Sequence, residues 1–265
     1  MAVKKRRAKV IALANQKGGV GKTTTAVNLA SAVALKGHSV LLVDSDPQGN
    51  ASSGTGIEGR DQHLYHCYVD EKVTKKAVQP CGVIDGLSVL PTHVDLIGVE
   101  VELMNEKRRE MFLRGIIDKV AADYDYIFID CPPSLGLLTL NALTAADSVL
   151  VPMQCEYFAL EGLSQLVRTI KLVKNSYNKK LKIEGLVLTM FDRRNKLTYQ
   201  VAKEVKKHFK SKVYTTVIPR NVRLSECPSY GQPVMVYDKN SAGALSYTNL
   251  GTEFLKKQDA IKGAK

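Results

Sequence analysis

Short apolar runs alternate with helically spaced apolar positions along the chain. Residues 9–14 form a run rich in β-formers, and residues 23–35 then carry apolar side chains at helical spacing. A second apolar run, 39–43, follows at once. This order predicts a strand, a glycine-rich loop, a helix and a second, parallel strand at the start of the fold.

The same alternation continues along the rest of the chain. Further strands are expected at 87–90, 126–129, 148–152, 183–189 and 213–218. Helices are expected near 99–121, 160–174 and 197–209. Such alternation predicts an α/β fold with a mainly parallel sheet flanked by helices on both faces.

The pattern indicates one domain over residues 9–257. Residues 49–86 have poor periodicity, so we expect loops and short helices there rather than a separate fold. Residues 258–265 are expected to form a polar tail. Residues 1–8 form a basic tail, which is either disordered or a further arm that touches DNA; we favour the disordered tail.

The chain of 265 residues has a formal net charge of +12. This excess of basic residues indicates a polyanionic partner, nucleic acid first and an anionic membrane second, although it would also serve solubility alone.

No apolar stretch is long enough to suggest export or a membrane span, and five scattered cysteines favour a reducing cytoplasm over a disulfide framework. His63, His66 and Cys67 lack a second ligand pair at zinc spacing, so we expect a surface cluster.

Residues 17–23, with the sequence KGGVGKT, lie between the first strand and the first helix. Gly18, Gly19 and Gly21 allow a tight turn that points backbone N–H groups inward at a helix N-terminus. We expect Lys22 to reach the β- and γ-phosphates of a bound nucleotide, and the Thr23 hydroxyl to ligate Mg²⁺. The loop departs from the general phosphate-loop pattern, which places a glycine at position 16, where this chain has glutamine.

Lys17 is an additional lysine at the start of this loop. Its side chain could serve the phosphate of a second subunit in a face-to-face dimer, the role that an arginine finger has elsewhere. The alternative is an exposed, solvated lysine.

Aspartates follow two of the predicted strands. Asp44 and Asp46 follow the second strand, and Asp130 follows the strand at 126–129. Because ligands bind at the carboxyl ends of parallel strands, these side chains are expected at the same site. We assign Asp130 to Mg²⁺, directly or through water, Asp44 to the same metal environment, and Asp46 to orienting the attacking water. Strand-end aspartates also serve as turn or helix-cap residues.

Several segments together closely resemble the ParA/Soj family of chromosome and plasmid partitioning ATPases. They are NQKGGVGKTTT at 15–25, DSDPQGN at 44–50, DCPPSLG at 130–136, QCEYFALEG at 154–162 and IPRNVRLSE at 218–226. The likeness extends from about residue 8 to about residue 250. The resemblance implies a P-loop NTPase of the deviant Walker A type, with ATP and Mg²⁺ as its cofactors.

The resemblance further implies a switch between two states. The family member is a monomer without ATP and a homodimer with ATP sandwiched between subunits, and the dimer binds double-stranded DNA without sequence preference. A ParB-like centromere-binding partner, together with DNA, stimulates the weak intrinsic hydrolysis that resets it. The expected location is the cytoplasm, at the nucleoid, without a membrane partner.

The resemblance also assigns residues. It implies that Lys17 acts across the dimer, that residues 17–24, including Val20 and Thr24, bind nucleotide, and that Pro219 and Asn221 lie near the adenine. The family-like DNA-binding positions are Arg194, Arg220, Arg223 and Lys239. Aromatic side chains for base stacking are absent from these segments, which favours phosphate contacts and salt-dependent binding.

Two rival functions share this loop. A MinD-like ATPase acts on membranes through an amphipathic C-terminal helix, but residues 251–265 lack a continuous apolar face. An iron-sulfur scaffold needs cysteines gathered at the dimer axis, and Cys131 has no paired cysteine nearby in sequence, so a buried thiol is expected there.

Overall fold

The computed structural model describes residues 7–59 and 61–263. The strands in this part of the chain are Lys9–Leu13 (β1), Val40–Asp44 (β2), Gln79–Pro80 (β3), Leu87–Leu90 (β4), Tyr126–Asp130 (β5), Ser148–Gln154 (β6) and Lys182–Thr189 (β7). They form one sheet in the order β3-β4-β2-β5-β1-β6-β7. Every pairing is parallel except that of β3 with β4.

Helices connect the strands. The α-helices are Lys22–Ala34 (α1), Asn50–Ser53 (α2), Leu64–Val69 (α3), Thr74–Ala77 (α4), Gly98–Glu102 (α5), Phe112–Asp118 (α6), Leu137–Ala145 (α7), Ala159–Ser176 (α8), Lys196–Phe209 (α9), Val222–Glu226 (α10), Val234–Tyr237 (α11) and Ala242–Gly263 (α12). Short 3₁₀ turns cover Glu71–Val73, Val94–Ile97, Arg109–Met111, Lys210–Lys212 and Cys227–Tyr230.

The sheet has a hydrophobic core on each face, because successive side chains of a strand point to opposite sides. Val10 and Ala12 of β1 pack in the core that includes residues of α6 to α9. Ile11 and Leu13 pack in the opposite core, with residues of α1 and α12. The predicted mainly parallel sheet with helices on both faces is therefore confirmed.

The predicted strand at 213–218 is wrong. Val213 forms only an isolated bridge with Leu186. Tyr214 N still donates to Leu186 O of β7 at 2.9 Å, but the N–H groups of Thr215 and Thr216 donate to the Glu253 carboxylate of α12 at 2.8 Å each, so no continuous ladder with β7 forms. The short antiparallel edge strand β3 was not predicted.

The predicted helix near 99–121 is interrupted. Helix α5 already ends at Glu102, and Arg108, with a left-handed backbone at φ 59°, lies in the segment that separates α5 from α6. Asn141 of α7 satisfies the backbone there: its side chain accepts from Leu113 N at 3.1 Å and donates to Arg109 O at 2.9 Å. A side chain distant in sequence therefore stabilises the break.

The end of the domain also differs from the prediction. Helix α12 continues to Gly263, through most of the predicted polar tail at 258–265, and Gln258 is buried, with a hydrogen bond to Glu184 of 2.7 Å. Most of the basic tail, residues 1–6, lies outside the described residues. Among the helices that are described, none has the length and apolar character needed to cross a membrane.

Candidate functional site

The loop between β1 and α1 turns tightly at two glycines. Gly19 and Gly21 have φ angles of 70° and 81°, in the left-handed region that favours glycine. Asn15 fixes the start of the loop, because its amide donates to Pro152 O at 2.8 Å and its carbonyl oxygen accepts from Lys17 N at 3.1 Å. Helix α1 begins directly after Gly21, so its unpaired N–H groups point toward the space over the loop.

Lys22 folds back over this loop. Its ammonium donates to Lys17 O at 3.2 Å, and the residue is only 7% exposed. Burial lowers the pKa of Lys22, while the nearby carboxylates of Asp130 and Asp46 act in the opposite direction. The ammonium therefore lies over the glycine loop, near the buried acids.

Asp44 and Asp130 are direct cross-strand neighbours at the carboxyl ends of β2 and β5. Both side chains are fully buried. Asp44 accepts from Ser52 N at 2.8 Å and Ser52 Oγ at 2.7 Å. Neither oxygen of Asp130 accepts a hydrogen bond of normal geometry within the described residues, although Thr23 and Lys22 lie close enough to favour its charged form.

Burial raises the pKa of both carboxyl groups, that of Asp44 to about 6. The charge of Asp46 adds to the rise at Asp44, and the charge of Asp44 adds to the rise at Asp130. Two adjacent buried carboxylates, of which Asp130 lacks a hydrogen-bond donor of normal geometry within the described residues, are an unfavourable arrangement unless a cation compensates them. Their oxygens are the ligand type that Mg²⁺ prefers. The donor set of Asp44, Asp130 and the Thr23 hydroxyl therefore fits a magnesium ion.

Asp46 lies two residues beyond Asp44, at the rim of the same site, and is 7% exposed. One carboxylate oxygen accepts from Gln48 N at 3.0 Å, which fixes the turn after β2. Gln48 is exposed, so Asp46 lies between the buried acids and solvent. Such a position is suited to holding a water molecule next to a bound phosphate.

Lys17 does not reach into its own loop. Its ammonium forms an ion pair with the Glu156 carboxylate, and both side chains are 43% exposed. Beyond Glu156, Tyr157 and Phe158 are 75% and 66% exposed and pack edge to face against each other. An exposed apolar pair next to the phosphate loop is typical of a surface that another molecule covers.

Pro219 and Asn221 line a cavity of about 300 Å³ together with Gly21 and Thr24. Asn221 also begins α10, where its side chain accepts from Arg223 N at 3.1 Å. The cavity opens beside the first turn of α1. The structure thus brings the family-like adenine positions next to the phosphate loop.

The basic positions are all exposed but not all free. The Arg194 guanidinium donates to Asp192 at 3.1 and 3.2 Å, and Arg223 pairs with Glu226 at 2.7 Å and Asp238 at 3.2 Å. Arg220 also lines the cavity next to Pro219. The structure therefore keeps Arg220 and Arg223 beside the nucleotide site, and it places Arg194 between β7 and α9 and Lys239 before α12.

Three residues of the site were not identified from the sequence. Ser52 binds Asp44, Glu156 binds Lys17, and the Thr189 hydroxyl donates to Val20 O at 2.7 Å, which fixes the middle of the loop. Ser52 and Thr189 carry no sequence signal. Glu156 had one, since it follows β6, which is the neighbour of β1 in the sheet.

The cysteines do not form a cluster that could hold iron and sulfur. All five are free and buried, and the one group of metal-ligating side chains among the described residues contains no cysteine. Cys131 is buried as expected, and burial together with Asp130 raises the pKa of its thiol far above the ordinary value.

The parallel sheet, the glycine loop after β1 and the acids after β2 and β5 define a P-loop nucleoside triphosphatase, and residues 8–183 match the family described as AAA domain. The chain is 55% identical over 247 residues to the sporulation initiation inhibitor protein Soj of Bacillus subtilis (strain 168), covering 92% of this chain and 97% of that protein. It is 53% identical over 251 residues to the chromosome partitioning protein ParA of Myxococcus xanthus (strain DK1622), covering 94% and 88%. The chain therefore belongs to the ParA/Soj family, as the sequence motifs predicted.

The fold also agrees with solved structures. A cobyrinic acid a,c-diamide synthase from Mycobacterium smegmatis, crystallised with ADP and magnesium, superposes with a TM-score of 0.82 at 34% sequence identity. The match covers 95% of this chain and 96% of that chain.

Proposed function

We propose that this protein is a partitioning ATPase that works as an ATP-dependent dimerisation switch. It binds ATP and Mg²⁺, forms a homodimer around the nucleotides, binds double-stranded DNA non-specifically in that state, and resets by slow hydrolysis. A ParB-like partner and DNA stimulate the hydrolysis. The protein acts in the cytoplasm, at the nucleoid, on a chromosome or a plasmid.

The observation that carries the proposal is the buried pair of Asp44 and Asp130 beside the glycine loop. When bound, Mg²⁺ would neutralise this pair and the charge on the nucleotide phosphates. In this chain Lys22 and the first turn of α1 bind the phosphates, and the cavity at Pro219 and Asn221 accepts the adenine. Asp46 orients the attacking water, so positioning rather than covalent chemistry drives the reaction.

The dimer is supported by what surrounds Lys17. Its ammonium lies outside its own phosphate site, on an exposed surface next to Tyr157 and Phe158. A second subunit that covers this surface would bring its nucleotide within reach of Lys17, which then offsets charge that develops on the transferred phosphate.

DNA binding is supported by the net charge of +12 and by the exposed arginines at 194, 220 and 223. Lys239 adds a further exposed cation. Side chains of this kind contact phosphates and release counterions, which gives binding without sequence preference. Dimerisation brings two sets of these cations onto one duplex and so couples DNA affinity to ATP.

The MinD-like alternative requires a C-terminal helix with a free apolar face. In α12, Tyr247, Leu250 and Phe254 are instead buried in the core shared with α1. The helix therefore contributes these three large side chains to the fold, which favours DNA over a membrane as the partner.

DNA binding with ATP, with ADP and without nucleotide tests the proposal. We expect tight binding to two unrelated duplexes with ATP alone, and an affinity that falls steeply with salt. Lys22→Ala, checked for folding by circular dichroism, should lose nucleotide binding and with it the ATP effect. ATP-dependent sedimentation with anionic liposomes but not with DNA would instead support the membrane alternative.

A further inference from the structure

Two histidines and an aspartate that are distant in sequence meet beside the acidic loop. His63 directly precedes α3, whereas His93 and Asp95 begin the 3₁₀ turn after β4. One ligand atom from each of these side chains lies within 4.8 Å of the others. A backbone hydrogen bond of 2.8 Å from Leu64 N to Pro91 O holds the two segments together.

This arrangement corrects the expectation of a surface cluster at His63, His66 and Cys67. His63 and Cys67 are 3% and 1% exposed. His66 Nδ1 faces the backbone N–H of His63 at 3.4 Å, and the Cys67 thiol faces the carbonyl oxygen of His63 at 3.6 Å. The side chains whose potential ligand atoms group with that of His63 are those of His93 and Asp95, which the spacing of residues in the sequence does not reveal.

The distances between these groups suit a shared metal ion. Asp95 Oδ2 lies 3.0 Å from His93 Nδ1 and 4.0 Å from His63 Nε2. Ligand atoms on a tetrahedral ion with bonds of about 2.0 to 2.1 Å are about 3.3 Å apart, which falls between these two values. The Asp95 and His93 side chains are 55% and 51% exposed, so they can rotate by the small amount required.

The burial of His63 fixes the position of its ring. The residue is only 3% exposed, and its Nε2 atom faces Asp95 Oδ2. Nε2 is therefore the His63 nitrogen that would bind the ion, with Asp95 at the other side.

We propose that His63, His93 and Asp95 bind one divalent transition metal ion of the zinc class. Two imidazoles and a carboxylate are ligands that suit Zn²⁺, and a three-residue set leaves a further position for water or a partner's side chain. The site is distinct from the Asp44 and Asp130 pair, whose all-oxygen character suits Mg²⁺.

The site also has a short connection to the nucleotide site. Thr92 N, next to His93, donates to Ser52 Oγ at 3.1 Å, and Ser52 Oγ donates to Asp44 at 2.7 Å. Pro47 and Gln48 line the same groove, of about 700 Å³, as the three proposed ligands. A bound ion would therefore fix the turn that supports Ser52 and, through it, Asp44.

Titration of Zn²⁺ into the full-length, EDTA-treated protein by calorimetry tests this proposal, with excess Mg²⁺ and no nucleotide. We expect one Zn²⁺ per chain, and His93→Gln or Asp95→Asn should weaken binding by at least about tenfold. Both residues are exposed, so the variants should fold. His208→Gln is the matched control, because His208 is exposed and pairs with Glu204 on α9; it should leave Zn²⁺ binding unchanged.

Substoichiometric Zn²⁺ binding, unchanged affinity in His93→Gln, or loss of binding in His208→Gln would overturn the proposal. Co²⁺ provides an independent measurement, since a site made of nitrogen and oxygen ligands gives d–d absorption without a thiolate charge-transfer band. A thiolate band would show that a cysteine such as Cys67 binds the ion, and it would overturn the proposed ligand set. Because the readout is metal binding in the absence of nucleotide, the result does not depend on whether the protein is a partitioning ATPase.

Discussion

The Lys17 ammonium is bound by Glu156 of its own chain, across the groove between the phosphate loop and the end of β6. Asn15 accepts a hydrogen bond from Lys17 N and so fixes the backbone at Lys17. Breaking the ion pair therefore requires movement of side chains but not of this backbone. If Lys17 serves the nucleotide of a second subunit, it must first leave Glu156. The ion pair therefore competes with the dimer that we propose.

Glu156→Gln removes the charge of this partner and keeps its shape. We expect ATP-dependent dimerisation to become tighter by a few fold, because an exposed ion pair contributes about 0.2 to 1 kcal/mol and about 1.4 kcal/mol corresponds to a factor of ten. Sedimentation velocity across a concentration series measures this. Glu161→Gln, also exposed and on the first turn of α8, should have no effect. A weaker dimer in Glu156→Gln would mean that Glu156 itself contacts the partner.

The Asp44 and Asp130 pair makes the stability of the nucleotide-free protein depend on pH. Burial raises the pKa of Asp44 from 3.8 to about 6, and that of Asp130 rises too. Between the unfolded and folded pKa values the native state holds more protons than the unfolded state. The contribution of these two groups to the free energy of unfolding is therefore greatest at low pH and falls as the pH rises through this range.

Asp130→Asn should make this fall shallower. At the alkaline end of this range and without Mg²⁺, we expect the variant to be more stable than the wild type by on the order of 1 to 3 kcal/mol, because it removes a buried carboxyl group whose ionisation is opposed by burial and by Asp44. It should also lose the stabilisation that Mg²⁺ and ATP give the wild type. Urea denaturation from pH 5 to pH 8 in EDTA measures both, with exposed Asp123→Asn as the control. An unchanged pH profile would show that the buried Asp130 carboxyl group does not cause the pH dependence of stability.

The sequence predicted the central strands and the glycine loop of this fold well because local signals and position agree there. β1, the glycine loop and α1 are contiguous, and the acids follow strands whose apolar runs are unbroken. The edge strand β3, the break at Arg108 and the irregular segment at 213–218 depend on partners far along the chain, such as Asn141 and Glu253.

The residues that support the site show the same limit. Ser52 and Thr189 are ordinary polar side chains in sequence, and only the fold brings them to Asp44 and Val20. His63 and His93 belong to segments joined by a backbone hydrogen bond beside β4, which no local pattern encodes. Periodicity identifies elements and motifs, whereas contacts between distant segments require the structure.

Asp46→Ala tests the assignment of the water-orienting group. We expect ATP binding and dimerisation to persist, while turnover falls by at least about a hundredfold because the attacking water is no longer held. Phosphate release and binding of a fluorescent ATP analogue measure the two properties separately. Asp46→Asn keeps an oxygen that can accept from Gln48 N and so preserves the turn. Slow turnover in both variants would assign the effect to the carboxylate charge, and normal turnover in Asp46→Ala would exclude the assignment.

Arg223→Ala tests whether the exposed arginines beside the nucleotide cavity bind DNA phosphates. Arg223 shares its charge with Glu226 and Asp238, so it must exchange these partners for phosphates on binding. We expect dimerisation with ATP to persist, and affinity to fall equally for unrelated duplexes. The slope of log affinity against log salt should become shallower by about 1 for each phosphate that the protein no longer neutralises, and so by about 2 for a dimer. Fluorescence anisotropy across a salt series measures this.

Arg168→Ala is the charge-matched control, since Arg168 is exposed on α8, which packs in the opposite core. An unchanged slope in Arg223→Ala would show that this arginine does not bind a phosphate.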